Sequence, residues 1–318
     1  MRVRAIVDSA NAALPKVSVL LALYQGERFL QQQLDSIAAQ TDVSWDLVVS
    51  DDGSVDCGPQ IIRNFADAFP GRVALQTGPG QGAVANFCAL LTSVETQGYV
   101  ALADQDDVWF SNKLARAVTT LATVPAQTPA LYCSRVEICD AQLNPAGMSR
   151  RPKRPASFRH ALVQNLVQGN TIVMNQTAKH LMQSALRTSG QIVMHDWFIY
   201  QIVSGAGGRV IYDKDPTLRY RQHDSNVVGA NEGMRARLAS IKRMLQGQQS
   251  TWSRQNIAAL SNCTSLLTVE NRVHLETFRQ LVEGSVVHRL QAMWGGQFYR
   301  QGCFSQAALW LAAAIGRV

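Results

Sequence analysis

Short apolar segments alternate with amphipathic segments over the first hundred residues of the chain. Residues 17–23 form an apolar run rich in branched side chains, which is typical of a buried strand. Residues 28–40 then carry apolar side chains at a helical spacing. The same alternation predicts further strands at 45–50, 73–76 and 99–103 and further helices at 61–69 and 83–94. This order predicts an α/β fold with a mostly parallel sheet flanked by helices.

The pattern is less regular after residue 107. It predicts a helix at 113–121, strands at 130–137, 171–174, 208–212 and 217–221, and a helix that begins at 195. From residue 234 onward the pattern is helical. We therefore divide the chain into an N-terminal extension, 1–15, an α/β domain, 16–230, and a basic helical C-terminal region, 231–318.

The composition is that of a globular protein, with 47% hydrophobic and 17% charged residues. Residues 1–15 lack the continuous apolar stretch of a signal peptide. The run at 307–315 is shorter than the ~20 residues that span a bilayer. The six cysteines form no C-x-x-C pair, which favours reduced thiols over a zinc site or disulfides. We expect a cytoplasmic protein, peripheral at the inner membrane face if it contacts lipid.

The net charge of +7 is concentrated in the C-terminal region, which contains ten Lys or Arg and four Asp or Glu. Such a region suits an anionic surface: membrane phospholipid, a lipid diphosphate or nucleic acid. Its aromatic residues are not spaced as a stacking platform, so we predict no nucleic-acid partner. Four basic residues within nine positions predict contact with an anionic membrane; they are Arg235, Arg237, Lys242 and Arg243. The simpler alternative is that these helices pack on the α/β domain and expose a solvated basic face.

Two acidic motifs follow predicted strands. Asp51 and Asp52 come after the second strand, and Asp104 and Asp106 come after the fourth. Ligands of open α/β sheets bind beyond the carboxyl ends of the strands, where both motifs fall. Carboxylates suit Mg²⁺ or Mn²⁺, and such a metal neutralises the charge of a departing diphosphate. The alternative for each motif is a polar turn that caps the next helix.

Two later motifs carry further chemistry. His195, Asp196 and Trp197 place a carboxylate beside an aromatic ring, and an aspartate near an acceptor hydroxyl can act as general base. Without context, a helix cap beside a buried tryptophan is the more common arrangement. Arg221 and His223 follow a predicted strand and carry the donor groups that suit a diphosphate.

Taken in order, these motifs resemble the family-2 glycosyltransferases of bacteria, in particular the rhamnosyltransferase-like branch. The resemblance covers residues 16–230 and rests on five motifs, which begin at Val17, Ser50, Asp104, His195 and Arg221. Asn86, Phe87 and the stretch Gln168-Gly169-Asn170 also fit the branch. Gln25 stands where the family usually has asparagine. Asn170 stands where cysteine is frequent, so the resemblance allows a different acceptor side here.

The resemblance implies a GT-A catalytic domain and a site with defined roles. The donor-binding residues would be Ala22, Tyr24, Asp51, Asp52, Asn86, Asp104, Arg221 and His223, and the ligands of a divalent Mg or Mn ion would be Asp104, Asp106 and His223. Asp196 would be the catalytic base. The implied reaction is an inverting transfer of rhamnose or another hexose from a dTDP- or UDP-sugar to a glycan or lipid-linked acceptor in bacterial cell-surface polysaccharide synthesis.

Three other functions agree with parts of the sequence. A non-catalytic nucleotide-sugar-binding or scaffold protein on the same fold would not need the base, so Asp196 argues against it. A receiver-type signalling domain also places acidic residues at strand ends, but it is much shorter and lacks the segment 221–229. A nucleic-acid binder would rest on the basic C-terminal region alone.

Overall fold

The computed structural model describes residues 13–95, 97–223 and 248–318. The predicted membrane-contacting basic cluster at 235–243 lies outside these described residues, as does most of the N-terminal extension.

Nine strands form one sheet in the described part of the chain. They are β1 Lys16–Leu23, β2 Ser44–Asp51, β3 Val73–Thr77, β4 Tyr99–Ala103, β5 Val108–Trp109, β6 Ala130–Cys139, β7 Pro145–Met148, β8 Val173–Met174 and β9 Arg209–Arg221. The order across the sheet is β3-β2-β1-β4-β8-β6-β9-β5, with β7 paired to β6. Strands β3, β2, β1 and β4 are parallel, whereas β8, β5 and β7 pair antiparallel with their neighbours. The sheet is therefore mixed, with a parallel half formed by the strands that carry the acidic motifs.

Seven α-helices accompany the strands of the α/β part that is described. They are α1 Leu30–Ala38, α2 Gly58–Ala68, α3 Ala83–Ser93, α4 Lys113–Leu121, α5 Phe158–Ala161, α6 Gln176–Leu186 and α7 His195–Gly205. Four more follow at α8 Gln248–Asn262, α9 Val269–Glu283, α10 Val286–Gly296 and α11 Cys303–Ile315. Short 3₁₀ turns lie at Gly169–Thr171 and Thr264–Leu266.

The helices cover both faces of the sheet because side chains of a strand alternate between the two faces. Val19 and Leu21 of β1 pack in one apolar cluster with helices α1, α2 and α4. Leu20 faces the opposite cluster, which contains α3, α6 and α7. This layered arrangement confirms the expected α/β class, a sheet flanked by helices with a helical C-terminal part.

The C-terminal helices share the second cluster. Phe278, Leu281 and Leu309 are buried in it together with Phe198 of α7. Trp252 of α8 meets Trp197 edge to face at 6.4 Å between ring centroids. Burial of this kind agrees with the simpler alternative, in which the C-terminal helices pack on the α/β domain. The predicted boundary between the α/β domain and the C-terminal region, near residue 230, lies outside the described residues.

Some elements differ from the prediction. The two strands expected at 208–212 and 217–221 are one strand, β9, which stays paired with β6 through shifts in register. The short strands β5 and β7 and helix α6 were not predicted. Strands of two and four residues are too short to show a hydrophobic period.

Candidate active site

The acidic motifs follow β2 and β4, and these two parallel strands end at the same edge of the sheet as β1, which lies between them. In the β1–β2 pair Leu23 lies opposite Asp51, and in the β1–β4 pair Leu21 lies opposite Ala103. The loops that follow β1, β2 and β4 therefore begin at nearly the same level. This edge is where ligands bind in sheets of this type.

The loops after β1 and β2 are tied together by reciprocal hydrogen bonds. The Gln25 N–H donates to Ser54 Oγ at 3.0 Å, and the Glu27 N–H donates to Asp56 Oδ2 at 2.8 Å. The Cys57 N–H in turn donates to Glu27 Oε2 at 2.9 Å. The backbone at Gln25 is left-handed, with φ of 50°, which asparagine tolerates better than most residues. The loops thus form one braced wall of the site.

Asp52 holds the glycine-rich stretch that follows β3. Its Oδ1 accepts a hydrogen bond from the Gly80 N–H at 2.7 Å, and its Oδ2 accepts one from the Gly82 N–H at 2.6 Å. Both glycines have positive φ, 68° and 87°, which other residues adopt at a cost. Asp51 has a local partner, the Ser54 N–H at 3.0 Å. Each Asp52 oxygen can accept one more hydrogen bond, so the loop bonds leave room for the predicted contact with the nucleotide sugar. That contact stays a prediction.

Asn86 is fully buried beneath this loop. Its Nδ2 donates to the Ser50 carbonyl at 2.8 Å, which braces the end of β2. A Cβ on Gly78 would lie 2.8 Å from Asn86 Oδ1, so glycine is required there. The contacts indicate that Asn86 positions the loop, while its predicted contact with the donor is not tested.

Tyr24 and Ala22 lie on the β1 side of the edge. Tyr24 is 57% exposed, and Ala22 is partly buried. Gln105 joins the backbone of Tyr24 in both directions: the Tyr24 N–H donates to Gln105 Oε1 at 2.8 Å, and Gln105 Nε2 donates to the Tyr24 carbonyl at 2.9 Å. Gln105 was not singled out in the sequence. The sequence feature that could have indicated its role is its position between Asp104 and Asp106.

A buried polar network supports the second acidic motif. Asn170 Nδ2 donates to Asp107 Oδ2 at 2.6 Å. Lys113 Nζ donates to the Asn170 carbonyl at 3.0 Å and lies 4.6 Å from the centroid of the Trp109 ring. Asp107, Lys113 and Asn170 are all buried. A buried lysine at the first position of α4 is not expected from the sequence, because lysine is usually exposed.

Burial and mutual charge shift the pKa values in this network. Burial, followed by the charges of Asp106 and Asp196, raises the pKa of Asp104 to about 7, and Lys113 opposes this rise. Burial also raises the pKa of Asp107 well above its usual range. The pKa of Lys113 is lowered to about 7 by burial, against the pull of Asp107 and Asp104. Asp104 and Lys113 therefore compete for a proton near neutral pH.

His223 and Asp106 meet at the end of β9. His223 Nε2 lies 2.8 Å from Asp106 Oδ2, and both side chains are largely enclosed. The Phe29 ring packs on the imidazole, with centroids 4.9 Å apart. Within the described ranges, no group of three or more His, Cys, Asp or Glu side chains is arranged to hold a metal. The structure thus joins two of the three predicted metal ligands and leaves Asp104 beside them.

Arg221 braces the site from within. Its guanidinium donates to the Asp106 and Ala141 carbonyls and to Gln32 Oε1, and it stacks 4.3 Å from the Phe29 centroid. The side chain is only 1% exposed. These contacts indicate that Arg221 positions the loop after β4. Its direct contact with the diphosphate of the nucleotide sugar stays a prediction.

Asp196 lies in the first turn of α7, close enough to Asp104 for its charge to raise that residue's pKa. Burial raises the pKa of Asp196 itself, while His195, the Trp197 N–H and Asn165 lower it. The Trp197 N–H donates to Asp196 Oδ1 at 2.6 Å. The carboxylate expected to act as base and the acidic motif of β4 therefore share one site.

His195 closes the same region. Its ring stacks on Phe87 with centroids 4.2 Å apart, and a Cβ on Gly169 would lie 2.8 Å from its Nε2. Neither ring nitrogen has a hydrogen-bond partner among the described residues, although both are buried. Burial lowers the pKa of His195, so the neutral ring is favoured.

Comparison with known proteins shows the family to which the chain belongs. A family model described as Glycosyl transferase family 2 matches residues 18–188, which is more than half of the chain. The chain is 26% identical over 253 residues to the dTDP-rhamnosyl transferase RfbG of Shigella flexneri, a match that covers 76% of this chain and 83% of that protein. The chain therefore belongs to glycosyl transferase family 2, and it is a glycosyltransferase similar to a rhamnosyl transferase.

Solved structures agree on the fold. TarS 1-349 of S. aureus, in complex with UDP-GlcNAc, has a TM-score of 0.54 at 15% identity, covering 94% of this chain and 79% of its own. The mannosyltransferase PcManGT of Pyrobaculum calidifontis, in complex with GDP-Man and Mn²⁺, has a TM-score of 0.50 at 18% identity, covering 95% and 87%. No helix in the described part of the chain is long and apolar enough to cross a membrane.

Proposed function

We propose that the chain is an inverting glycosyltransferase that transfers rhamnose or another hexose from a dTDP- or UDP-sugar to a glycan or lipid-linked acceptor, in the synthesis of bacterial cell-surface polysaccharide. The observation that carries the proposal is that one segment contacts both Asp196 and the acidic motif of β4. A Cβ on Gly169 would lie 3.7 Å from the Asp196 Cβ, and the adjacent Asn170 donates to Asp107 Oδ2 at 2.6 Å. A general base must lie near both the acceptor and the bound donor, and these two groups share the sheet edge where donors bind.

The donor side of the proposal rests on the wall formed by the first two loops. Tyr24 is exposed at the edge and can face a base, and Asp51 and Asp52 lie beside it. We assign a thymine or uracil base because the chain is similar over 76% of its length to RfbG, which is named for a dTDP-sugar. TarS was solved with UDP-GlcNAc and PcManGT with GDP-Man, so the shared fold does not by itself select the base. The proposed donor site is completed by Ala22, Asn86, Arg221 and His223. Asn86 and Arg221 are buried and contribute by holding the loops in place.

A divalent cation fits the residues at the end of β9. Asp106 and His223 would hold it, with Asp104 beside them. Two protein ligands suffice because Mg²⁺ and Mn²⁺ usually bind through one or two carboxylates together with substrate phosphates. Such an ion supplies charge neutralisation for the departing nucleoside diphosphate. PcManGT, which has a similar fold, was solved with Mn²⁺.

In the proposed reaction Asp196 accepts the proton of the acceptor hydroxyl as that oxygen forms a bond to the anomeric carbon. The bond from this carbon to the diphosphate oxygen breaks on the opposite side, and its electron pair leaves with the nucleoside diphosphate. Asn165 and the Trp197 N–H hold the Asp196 carboxylate, and partial burial keeps it basic. The protein would act at the cytoplasmic face of the membrane if the acceptor is lipid-linked.

The first prediction concerns the base. Asp196→Asn keeps the size of the side chain but cannot accept the proton, so we expect kcat to fall by about 10² to 10⁴. Donor affinity should stay nearly unchanged, since Asp196 is assigned to the acceptor. The measurement is nucleotide release from a panel of dTDP- and UDP-sugars with Mn²⁺, with the purified chain and a glycan or lipid-linked acceptor.

Two controls distinguish loss of the base from a nonspecific effect or from loss of donor binding. Asp67→Asn changes an exposed carboxylate on α2 and should leave transfer intact. Donor binding, measured by calorimetry, separates a base from a donor ligand. If Asp196→Asn abolishes donor binding, Asp196 is misassigned. If the parent chain binds a nucleotide sugar but transfers it to no acceptor, the non-catalytic alternative stands.

A further inference from the structure

Two neighbouring C-terminal helices expose apolar side chains along one face each. On α10 these are Val287, Leu290 and Trp294, spaced so that they share a face. On α11 they are Phe304, Leu311 and Ile315, again on one face. Trp294 is 82% exposed and Phe304 is 81% exposed. A helix that is apolar on all sides is normally buried, and α11 contains no charged residue.

The two helices form an antiparallel pair, which we call the C-terminal hairpin (residues 286–315). The Arg289 guanidinium near the start of α10 donates to the Ala313 carbonyl at 2.7 Å and to the Ala314 carbonyl at 3.2 Å, near the end of α11. Trp294 and Phe304 therefore both lie toward the connecting turn. The most exposed aromatic rings of the hairpin are at one end of it.

A basic loop (residues 150–154) lies against that turn. Gln301 Oε1 accepts hydrogen bonds from the Lys153 N–H at 2.9 Å and the Arg154 N–H at 3.0 Å. The Arg154 guanidinium stacks over the Tyr299 ring at 4.9 Å from its centroid. The four basic side chains of the loop are exposed; they are Arg150, Arg151, Lys153 and Arg154. The exposed cations thus lie beside the turn toward which both exposed aromatic rings are placed.

The sequence of this surface is free of acidic residues. Residues 284–318 and residues 141–195 contain no Asp or Glu, although both segments carry several Arg or Lys. The turn also reaches the acceptor side of the site, because the Gln301 N–H donates to Gln164 Oε1 at 2.7 Å and the adjacent Asn165 bonds to Asp196. A surface of this composition matches an anionic partner beside the acceptor.

We propose that the C-terminal hairpin and the basic loop together dock the enzyme on an anionic phospholipid bilayer. Trp294 and Phe304 enter the interface, and the cations of the basic loop contact the headgroups. A second copy of the chain suits the surface less well, because a two-fold interface would place the same cations opposite each other. The proposal builds on a lipid-linked acceptor, but lipid binding requires neither donor nor transfer, so either can fail alone.

Trp294 provides a direct probe, since it is far more exposed than the other five tryptophans. The full chain is mixed with vesicles that contain brominated phosphatidylcholine and roughly one-third phosphatidylglycerol, and tryptophan quenching is recorded. We expect quenching with these vesicles and little with neutral ones. Trp294→Phe should remove most of the quenching but leave the chain bound in a vesicle flotation assay.

Two variants separate the apolar and the cationic parts. Trp294→Ser with Phe304→Ser should weaken flotation at least about tenfold. Changing the four cations of the basic loop to Gln should weaken it at least about tenfold at low salt, and less at high salt, where screening already acts. The matched control changes four exposed cations elsewhere to Gln: Arg63, Arg187, Arg209 and Lys214. It removes the same charge and should retain binding.

All substituted side chains are exposed, so circular dichroism should show folded variants. The proposal is overturned if the parent chain does not bind the anionic vesicles, or if the loop variant and its matched control lose the same affinity. It is also overturned if sedimentation shows a dimer that the Trp294 and Phe304 double variant dissociates while vesicle binding is absent, since the hairpin is then a self-association surface.

Discussion

Charge compensation at the sheet edge depends on individual residues that come from distant parts of the chain. Asp104, Asp106, Asp107 and Asp196 act on one another, and burial adds to their repulsion. Lys113 supplies a buried positive charge among them, although burial lowers its own pKa to about 7. A bound cation would relieve the remaining repulsion. The raised pKa of Asp104 and Asp107 therefore agrees with the proposal that a cation binds at this site.

A residue-scale prediction follows for Asp106. Asp106→Ala removes the carboxylate beside His223, so a divalent ion keeps at most one strong protein ligand there. We expect kcat/KM to fall at least about 100-fold and Mn²⁺-dependent binding of a nucleoside diphosphate to weaken sharply. Calorimetry with and without Mn²⁺ measures the second effect directly.

Asp67→Ala is the matched control for this change, because it removes an exposed carboxylate from helix α2, outside the network. Equal activity of the parent and Asp106→Ala, or full activity of the parent in excess chelator, would contradict the role in metal binding. A variant that unfolds would show itself by circular dichroism. His223→Ala then replaces it, as the other half of the pair.

At the scale of elements, the glycine-rich loop after β3 is held by a single side chain. Asp52 accepts hydrogen bonds from both Gly80 and Gly82. Asp52→Ala leaves two loop amides without their charged acceptor, so we expect a loss of about 1–3 kcal/mol in the free energy of unfolding. Donor affinity should fall with it if the ordered loop forms part of the donor site.

Asp52→Asn keeps one acceptor oxygen and serves as the graded control. Its stability should lie between that of the parent and that of the alanine variant, as measured by urea unfolding. If both variants are as stable as the parent but bind no donor, Asp52 contacts the donor directly and the loop bonds are incidental. The comparison therefore separates the two roles of the carboxylate.

Elements with a strong hydrophobic period were predictable from the sequence. The first four strands and the helices between them follow their apolar runs, and the acidic motifs follow from the strand ends. Gln105, Lys113 and Asn165 could not be assigned because their roles depend on contacts between segments far apart in the sequence. The burial of Arg221 could not be predicted from the sequence either, because its hydrogen-bond partners lie in other segments of the chain.

At the scale of the whole molecule, a polar network links the C-terminal hairpin to the α/β part. Tyr200 OH lies 3.0 Å from His160 Nδ1 and donates to the Ser157 carbonyl at 3.1 Å. Ser157 Oγ lies 2.6 Å from Tyr299 OH, and Tyr299 OH also donates to the Pro155 carbonyl. His160 is fully buried in the middle of these groups. The C-terminal hairpin is thus connected to helix α7 through Ser157 and Tyr200, and His160 lies against this network.

The last prediction concerns the stability of this connection at low pH. Burial lowers the pKa of His160 from 6.5 to about 4, so between these values the unfolded chain binds a proton that the folded chain does not. The free energy of unfolding should therefore decrease as the pH falls from about 6.5 to about 4, by at most about 3 kcal/mol from this residue. His160→Gln cannot gain the charge and should show a smaller decrease. Urea unfolding at pH 7 and at pH 4.5, with exposed His180→Gln as the control, measures the difference in slope; an equal loss in the parent and in His160→Gln would contradict the assignment.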